Sequence, residues 1–487
     1  MKNIVYYIAI ATVLLFASCA SELDTEPSGS QVSDEQLGEL IKENADLVLA
    51  PMMQGAVNYM HTGNHRATTN DRGFMVWNLG MDLQGNDMVL TKLTNWFADV
   101  YMFESIRAQT NAYTADRWYC YYKIVYQSNQ ILDLIPDDVT GKALVYKAQA
   151  LTYRALAYYY LMCVYQDDYM HGGKDKAGVP LYLTVEGAKG RTPSTEVYST
   201  ITTDLQNAIA LFEQEGYDPK SSTADIDQTV ANMVLARVAL TTGDYTTAAN
   251  AAGAVISAGY SLMNEEQYTT SGFQSTSLPE TIWGYTWAAS LGNRSFASFM
   301  SITAVDNANN KGIYMAIDDQ LYKQIAATDY RKKNFNATET TVGEFTYPAY
   351  SNVKFNTPTY EADEIYMRLS EAYLLKAEAE ARGGNSSAAQ QTLYDLVSKR
   401  DSGYAKSSNT GEALLKEIFL QSRIELWGEG HEFFTNKRFN VGVDRTASSN
   451  HTHKLVKAAG KEFTYQIPLS IELNSNPYIN AADQNPL

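Results

Sequence analysis

Residues 235–257 (LARVALTTGDYTTAANAAGAVIS) and 375–397 (LKAEAEARGGNSSAAQQTLYDLV) align without a gap at an offset of 140. Gly243 falls on Gly383, Ala239 on Ala379, Ala248 on Ala388 and Ala249 on Ala389. Each copy reads as two helices broken by glycine, with small residues where the helices must approach closely. That is the layout of a tetratricopeptide repeat, a pair of about 34 residues that buries its apolar faces by stacking on neighbours. The early Trp of that repeat is missing, so a generic helical hairpin stays open for either copy alone. Pairs centred near Thr140 and Thr192 read as further, divergent copies.

Apolar residues recur at helical spacing over 33–53, 115–135, 141–166, 195–215, 227–242, 245–258, 363–382, 386–400 and 412–427. The stretches 51–107 and 260–361 lack long periodic runs and are rich in Gly, Asn, Thr and aromatics. The second carries short β-like pieces at 281–287 and 343–347. A third, polar stretch spans 166–193 and ends in an extended piece at 179–183. Loops this long on a rigid scaffold usually carry function. The expected fold class is therefore mainly α, a scaffold of tetratricopeptide-like helical hairpins with long loop and short β insertions.

The N-terminus has its own logic. Lys2 precedes an apolar run of about fourteen residues, closed by Ala17-Ser18-Cys19. A spanning helix needs roughly twenty, so the run reads as the apolar core of a secretory signal. A Cys directly after small residues resembles a bacterial lipoprotein signal, cut before Cys19 and lipidated on it. Phe16 stands where such signals usually have Leu, and an ordinary secretory signal with an incidental Cys is the alternative. Residues 21–33 are polar, acidic and turn-forming, which suits a tether. Stable anchoring needs more than one acyl chain, and a triacylated Cys19 meets that. The expected division is a signal peptide at 1–18, a tether at 19–33 and one domain at 34–487. Within it, an N-terminal part spans about 34–220 and a C-terminal part about 260–487.

Charge narrows the partners. Lys+Arg 38 against Asp+Glu 55 gives −17. Phosphate binding runs on Lys and Arg, so nucleic acid is disfavoured. Besides Cys19 there are Cys120 and Cys163, which hairpin geometry places roughly 10 Å out of register, too far for a disulfide.

Longer motifs then add up. Trp118…Tyr126…Asn129, the run 148–155 (AQALTYRA), Val179-Pro180-Leu181 and Arg191…Val197-Tyr198…Asp204-Leu205 stand in order. Arg368-Leu369-Ser370-Glu371-Ala372-Tyr373-Leu374…Glu378-Ala379 and Glu425-Leu426…Glu429-Gly430-His431 follow. Ile467-Pro468…Asn476-Pro477…Gln484-Asn485-Pro486 closes the chain. Together they resemble the SusD/RagB family of nutrient-binding outer-membrane lipoproteins over nearly the whole length. After Glu429-Gly430-His431 that family usually has Arg, then Asp three residues on. Here Glu432 and Thr435 stand there, while Arg438 is kept. These motif residues read as structural, in buried ion pairs and turn contacts.

The resemblance implies a cell-surface protein sitting as a lid over a SusC-like TonB-dependent transporter in the outer membrane. It implies capture of oligosaccharide, or in some branches peptide, with no chemistry of its own and no cofactor beyond the lipid on Cys19. A scaffold that mainly holds the transporter complex is a third reading. The residues agree on chemistry. There is no Gly-x-Ser-x-Gly, phosphate loop or dinucleotide fingerprint, and His431-Glu432 lacks the second His of a zinc-protease helix. Asp82 with Asp87, and Asp318 with Asp319, are the carboxylate pairs a glycosidase would need, but solvated loops explain such pairs more simply.

Sugar binding needs flat apolar faces beside hydroxyl-binding side chains in a concave site. Asn95-Trp96 with Asp99 and Tyr101 form one such cluster. Trp283, Tyr285 and Trp287 alternate on a strand and so face one side, with Asn293 and Arg294 close after. His61, His65 and Arg66 form a third. Each tryptophan has core packing as its simpler reading. The expected outcome of Cys19→Ala is loss of acyl labelling in a fatty-acid feeding experiment, and continued labelling would refute that assignment.

Overall fold

The internal repeat forms as two helical hairpins stacked on one another. The structure, a computed structural model, describes residues 33–62, 73–94, 97–104, 106–217, 222–286, 315–342, 345–356 and 362–487. Residues 1–32, which hold the expected signal, Cys19 and nearly all of the expected tether, lie outside them. The main helices in chain order are α1 (Asp34–Thr62), α2 (Phe74–Asp82), α3 (Ala112–Leu134), α4 (Lys142–Tyr165), α5 (Ser194–Glu215), α6 (Gln228–Thr242), α7 (Tyr245–Ser257), α8 (Leu369–Arg382), α9 (Ser386–Val397), α10 (Gly411–Glu425) and α11 (Glu432–Arg438). Packing runs along the series, α3 on α4, α4 on α5, α5 on α6 and α6 on α7. Helix α7 then packs on α8, and α8 on α9 and α10, so the stack continues across the insertion. The fold is mainly helical, as the periodicity required.

The repeat closes for the reasons its residues give. Asp227 caps α6 by accepting from the N–H groups of Thr229 and Val230. Gly243 ends it at φ 83°, a left-handed conformation open to glycine. Asp244 then caps α7, as Asn385 caps α9. The second turn is one residue longer than the first. Gly384 takes the positive φ of 85°, and Gly383 stays at −75°. The offset is therefore 140 in the first helix and 141 in the second. Buried Ala248 corresponds to buried Ala389, and half-exposed Ala249 has no partner at Ala389. The gapless alignment holds for Ala239 and Ala379 and fails beyond the turn.

Two segments depart from the sequence reading. Helix α1 runs through Pro51 to Thr62, with a break at Asn44, and α2 follows inside the stretch expected to be irregular. All nine residues of α2 are buried. A helix covered on every side has no apolar stripe, so periodicity does not reveal it. The expected helix 363–382 is a strand followed by a helix. Strand β6 (Glu364–Arg368) pairs antiparallel with β2 (Thr281–Tyr285) and is buried along its length. Strand β2 lies within the second insertion and β6 just after it, with the antiparallel pair β4 (Thr340–Val342) and β5 (Phe345–Tyr347) between them in the chain, and β1 (Met88–Leu90) pairs with β3 (Met315–Ile317), tying that insertion to the first. Cys120 and Cys163 are free thiols. Tyr158, Tyr159 and Tyr160 are all buried among the helices.

Inside this junction lies a charge network buried from solvent. Four cations, Arg331, Lys354, Arg368 and Arg400, face four carboxylates, Glu280, Asp329, Glu425 and Glu429. Arg368 bonds Glu425 at 2.7 Å, Glu280 at 2.9 Å and Glu429 at 2.6 Å. Arg400 bonds Glu425 at 3.1 Å and also reaches Glu280. Arg331 adds Glu425 at 3.1 Å and Asp329 at 2.6 Å, and Lys354 reaches Glu429 at 2.5 Å. Burial pushes the Glu429 carboxyl up, but Arg368 and Lys354 overcome it and hold it at about 2. These are the motif residues Arg368, Glu425 and Glu429, so the structural reading of them stands. Removing one partner leaves an unmatched buried charge, which costs about 3–5 kcal/mol. Arg368→Met is expected to lose about that much in urea unfolding, and a loss under about 1 kcal/mol would show the network to be dispensable.

Candidate ligand-binding site

Two of the sequence clusters meet. His61, near the end of α1, stacks on Tyr285 at the end of β2, ring centres 3.2 Å apart and 14° from parallel. Its Nδ1 lies 3.0 Å from the Tyr366 hydroxyl and 3.5 Å from the Glu364 carboxylate. Tyr285 remains half exposed. Trp283 does not share its face. It is 1% exposed, packs edge-on to Tyr366 at 5.0 Å, and donates its Nε1 to the Ala224 carbonyl at 3.3 Å. The register of β2 against β6 shifts between Thr281 and Trp283 and again between Trp283 and Gly284. That irregularity breaks the strict alternation the sequence reading relied on. Trp283 is corrected from ligand platform to core.

Asp99 is exposed on the one-turn helix Ala98–Tyr101, while Tyr101 is buried and bonded to His451 at 2.6 Å. Asn95, Trp96, Trp287, Asn293 and Arg294 lie outside the described residues, as do His65 and Arg66.

The carboxylate pairs serve the scaffold. Asp82 accepts from the N–H of Gly430 at 2.7 Å and of Glu432 at 2.9 Å. Glu432 accepts from the N–H groups of Asn86 and Asp87. Asp87 takes both ends of Arg423, with Nε at 2.8 Å. A Cβ on Gly85 would sit 1.9 Å from the Glu432 carboxyl carbon, so only glycine lets the loop come this close. Asp318 caps the short helix Asp319–Gln324, and Asp319 holds Ser449 and Lys323. Glu432, the departure from the family pattern, thus pins the loop at 85–87. Among the described residues no group of three or more His, Cys, Asp or Glu is placed to hold a metal.

The sequence missed an open groove of about 1150 Å³. One wall is the C-terminal repeat, with Tyr373 on α8 and Tyr394 and Asp395 on α9. The other is chain from the second insertion, with Tyr260, Asn264 and Glu265 beside Lys333. Glu265 and Lys333 pair at 2.5 Å across the rim. The floor holds Tyr330, whose hydroxyl accepts from Arg400 at 3.0 Å. Tyr260, Tyr373 and Tyr394 are half-buried, and the Tyr394 ring stacks on Tyr404, centres 6.3 Å apart. Burial raises the Tyr373 hydroxyl, helped by Asp395 and Glu280, so it stays a neutral donor. Flat faces alternate with amide, carboxylate and ammonium groups, and this combination suits a polyhydroxylated ligand better than a charged or purely apolar one. Tyr373 sits in a motif read only as helix, and Tyr260 across the groove is over a hundred residues away. No local pattern joins them.

Burial pushes the Asp82 carboxyl up to about 7, despite its two backbone donors. Burial and the Asp87 charge likewise raise Glu432 well above the usual carboxylate range. A carboxyl with a raised folded pKa holds its proton longer folded than unfolded. Its stabilisation is full below about pH 4 and is lost as pH climbs toward 7. Asp82→Asn removes that ionisation. Its urea midpoint is expected to gain on the parent chain between pH 4 and pH 7, and parallel curves would show that Asp82 does not titrate there.

A family model described as starch-binding associating with outer membrane matches residues 31–240, and one described as SusD family matches 257–481. Among solved structures, a SusD-like carbohydrate binding protein from Bacteroides vulgatus superposes with a TM-score of 0.76 at 23% identity, covering 90% of this chain and 98% of that one. A SusD superfamily protein from Bacteroides thetaiotaomicron gives 0.72 at 21% identity, over 94% and 100%. Surface glycan-binding protein A from Bacteroides uniformis gives 0.67 at 17%, over 90% and 99%. At these identities the likeness establishes the fold. No curated protein matches the chain.

Proposed function

The chain belongs to the SusD/RagB family, and from that membership we propose that it is a cell-surface lipoprotein that binds glycan nutrients. It hands them to a SusC-like TonB-dependent transporter and performs no chemistry itself. The observation that carries this reading is the open groove of about 1150 Å³, edged by Tyr260, Tyr373 and Tyr394 among hydrogen-bonding side chains. Its size admits several sugar rings. Saccharide rings lay their C–H faces on the tyrosines, while Asn264, Asp395 and Lys399 meet hydroxyls at the rim. Trp96, Trp287, Asn293 and Arg294, in the two long insertions, are further sugar contacts on this reading, on the strength of their residue types alone. Asp99 is exposed and Tyr285 half exposed in the same two sequence clusters.

The reading gains support from one further point. The N-terminal family model is described by starch binding and association with the outer membrane. Among the described residues no helix is long and apolar enough to cross a membrane, and attachment through acyl chains on Cys19 is part of the same proposal.

Calorimetry against a panel of defined oligosaccharides and peptides tests it. Tyr394→Ala and Trp287→Ala are each expected to weaken glycan binding by a stacking-sized amount, about 1–3 kcal/mol by analogy with stacking on bases. Binding of peptides with no response to any glycan would overturn the glycan assignment. Unchanged glycan affinity in both variants would remove those residues from the surface.

A further inference from the structure

The outer face of α3 carries aromatic residues in two adjacent rows. Trp118, Tyr122 and Tyr126 recur every four residues, with Tyr119 and Lys123 in the neighbouring row. Tyr182, from the polar insertion at 166–193, stands opposite, its ring centre 5.7 Å from that of Tyr122. Between them lies a cleft of about 280 Å³, near the lower end of small-ligand sites at roughly 300 Å³. It is separate from the tyrosine-edged groove and shares no lining residue with it.

The cleft is a built feature. Trp118 donates its Nε1 to Glu472 at 3.0 Å, and Asn476 donates to the same carboxylate at 2.6 Å. The Tyr122 hydroxyl donates to the Pro180 carbonyl at 2.8 Å. Asn129 donates to the carbonyls of Tyr182 and Thr184, both at 3.1 Å, which holds the far wall in place. These polar atoms are thus committed to the protein, and Lys123 is placed differently. Lys123 lies 5.4 Å from the ring centre of Tyr119 and 5.6 Å from that of Tyr126. No carboxylate of the described residues comes within 4.0 Å of its ammonium. In a chain of net charge −17, this is an ammonium held over ring faces without a counter-ion. Tyr126 beside it is 41% exposed, a flat face open to solvent.

We propose that this cleft is a second saccharide subsite and that it takes a hexuronic acid residue, with the sugar ring on Tyr126 and its carboxylate on Lys123. The proposal rests on the glycan reading above for the class of ligand, and on the cleft's own geometry for the acid. The aromatic face supplies the contact area that neutral sugars also use. The ammonium supplies the discrimination, because a charge-assisted hydrogen bond is about twice as strong as a neutral one. An acidic residue of a longer chain is read here while neutral residues lie elsewhere.

The test is calorimetry on the full chain in detergent, with trisaccharides of galacturonate and of glucuronate and their neutral counterparts of the same linkage. At least one acidic trisaccharide is expected to bind ten-fold or more tighter than its neutral counterpart. Lys123→Met removes that preference, Lys123→Arg keeps most of it, and Tyr126→Ala weakens both classes. Both positions are solvent-facing, so the variants are expected to keep the parent circular-dichroism spectrum. Tyr394→Ala, in the other groove, leaves the preference intact. Failure of both acidic trisaccharides to bind, or a preference that survives Lys123→Met, overturns the proposal. If Tyr394→Ala abolishes acidic binding instead, the subsite falls while the glycan function stands. If neutral sugars bind nowhere but the Lys123-dependent preference appears, the subsite stands and the reading of the groove falls.

Discussion

Glu425 is the point on which the structure turns. Its carboxylate is fully buried and receives Arg331, Arg368 and Arg400. A single carboxylate in that position would be held protonated by burial. Three guanidiniums instead keep it charged, well below the usual carboxylate range. The three arginines then need more anions than Glu425 supplies, and Glu280, Asp329 and Glu429 provide them. Each charge justifies the next, and the set closes only when all its members are present. Those members come from the residue just before β2, the turn at 329–334, the segment at Lys354, the end of β6, the turn after α9, and the end of α10 with the turn after it. The network therefore joins the second insertion to the C-terminal repeat, and both walls of the large groove hang from it. Arg400 shows the link directly, since it bonds both Glu425 and the Tyr330 hydroxyl on the groove floor.

The same logic repeats at smaller scale along the helical stack. Arg237 on α6 grips Glu371 on α8 at 2.6 and 2.7 Å and donates to the Tyr160 hydroxyl on α4. Arg154 on α4 grips Asp204 on α5 and reaches Asn129 on α3. Alanines set how close the helices come, and these bidentate pairs set which helix faces which. A fork of two parallel bonds fixes orientation in a way that a methyl contact does not.

Much of this was legible in the chain. Gly243 with Asp244, and the glycine pair with Asn385, announced the repeat because a turn and a cap are local events. The motif residues Arg368, Glu425 and Glu429 announced a buried charge cluster, though not its wiring. What escaped notice shares one cause. Helix α2 is covered on all sides and shows no periodic contrast. The register shifts in β2 depend on its partner, so Trp283 turned inward against the alternation. The extra residue in the second turn changes which alanine is buried, and only packing shows that. The groove joins Tyr260 to Tyr394, and the cleft joins Tyr126 to Tyr182. Such sites exist only after long-range contacts are made, and no window of sequence contains them.

The placement of Glu425 has one more consequence. Segments that contribute to the network are spread over about 150 residues, and none can withdraw without stranding an opposite charge in a dry interior. Withdrawal of any one of these described segments is thereby costly, since an unmatched buried charge costs about 3–5 kcal/mol. Peptidases cut chains that fray. A chain wired this way gives them little purchase at these segments.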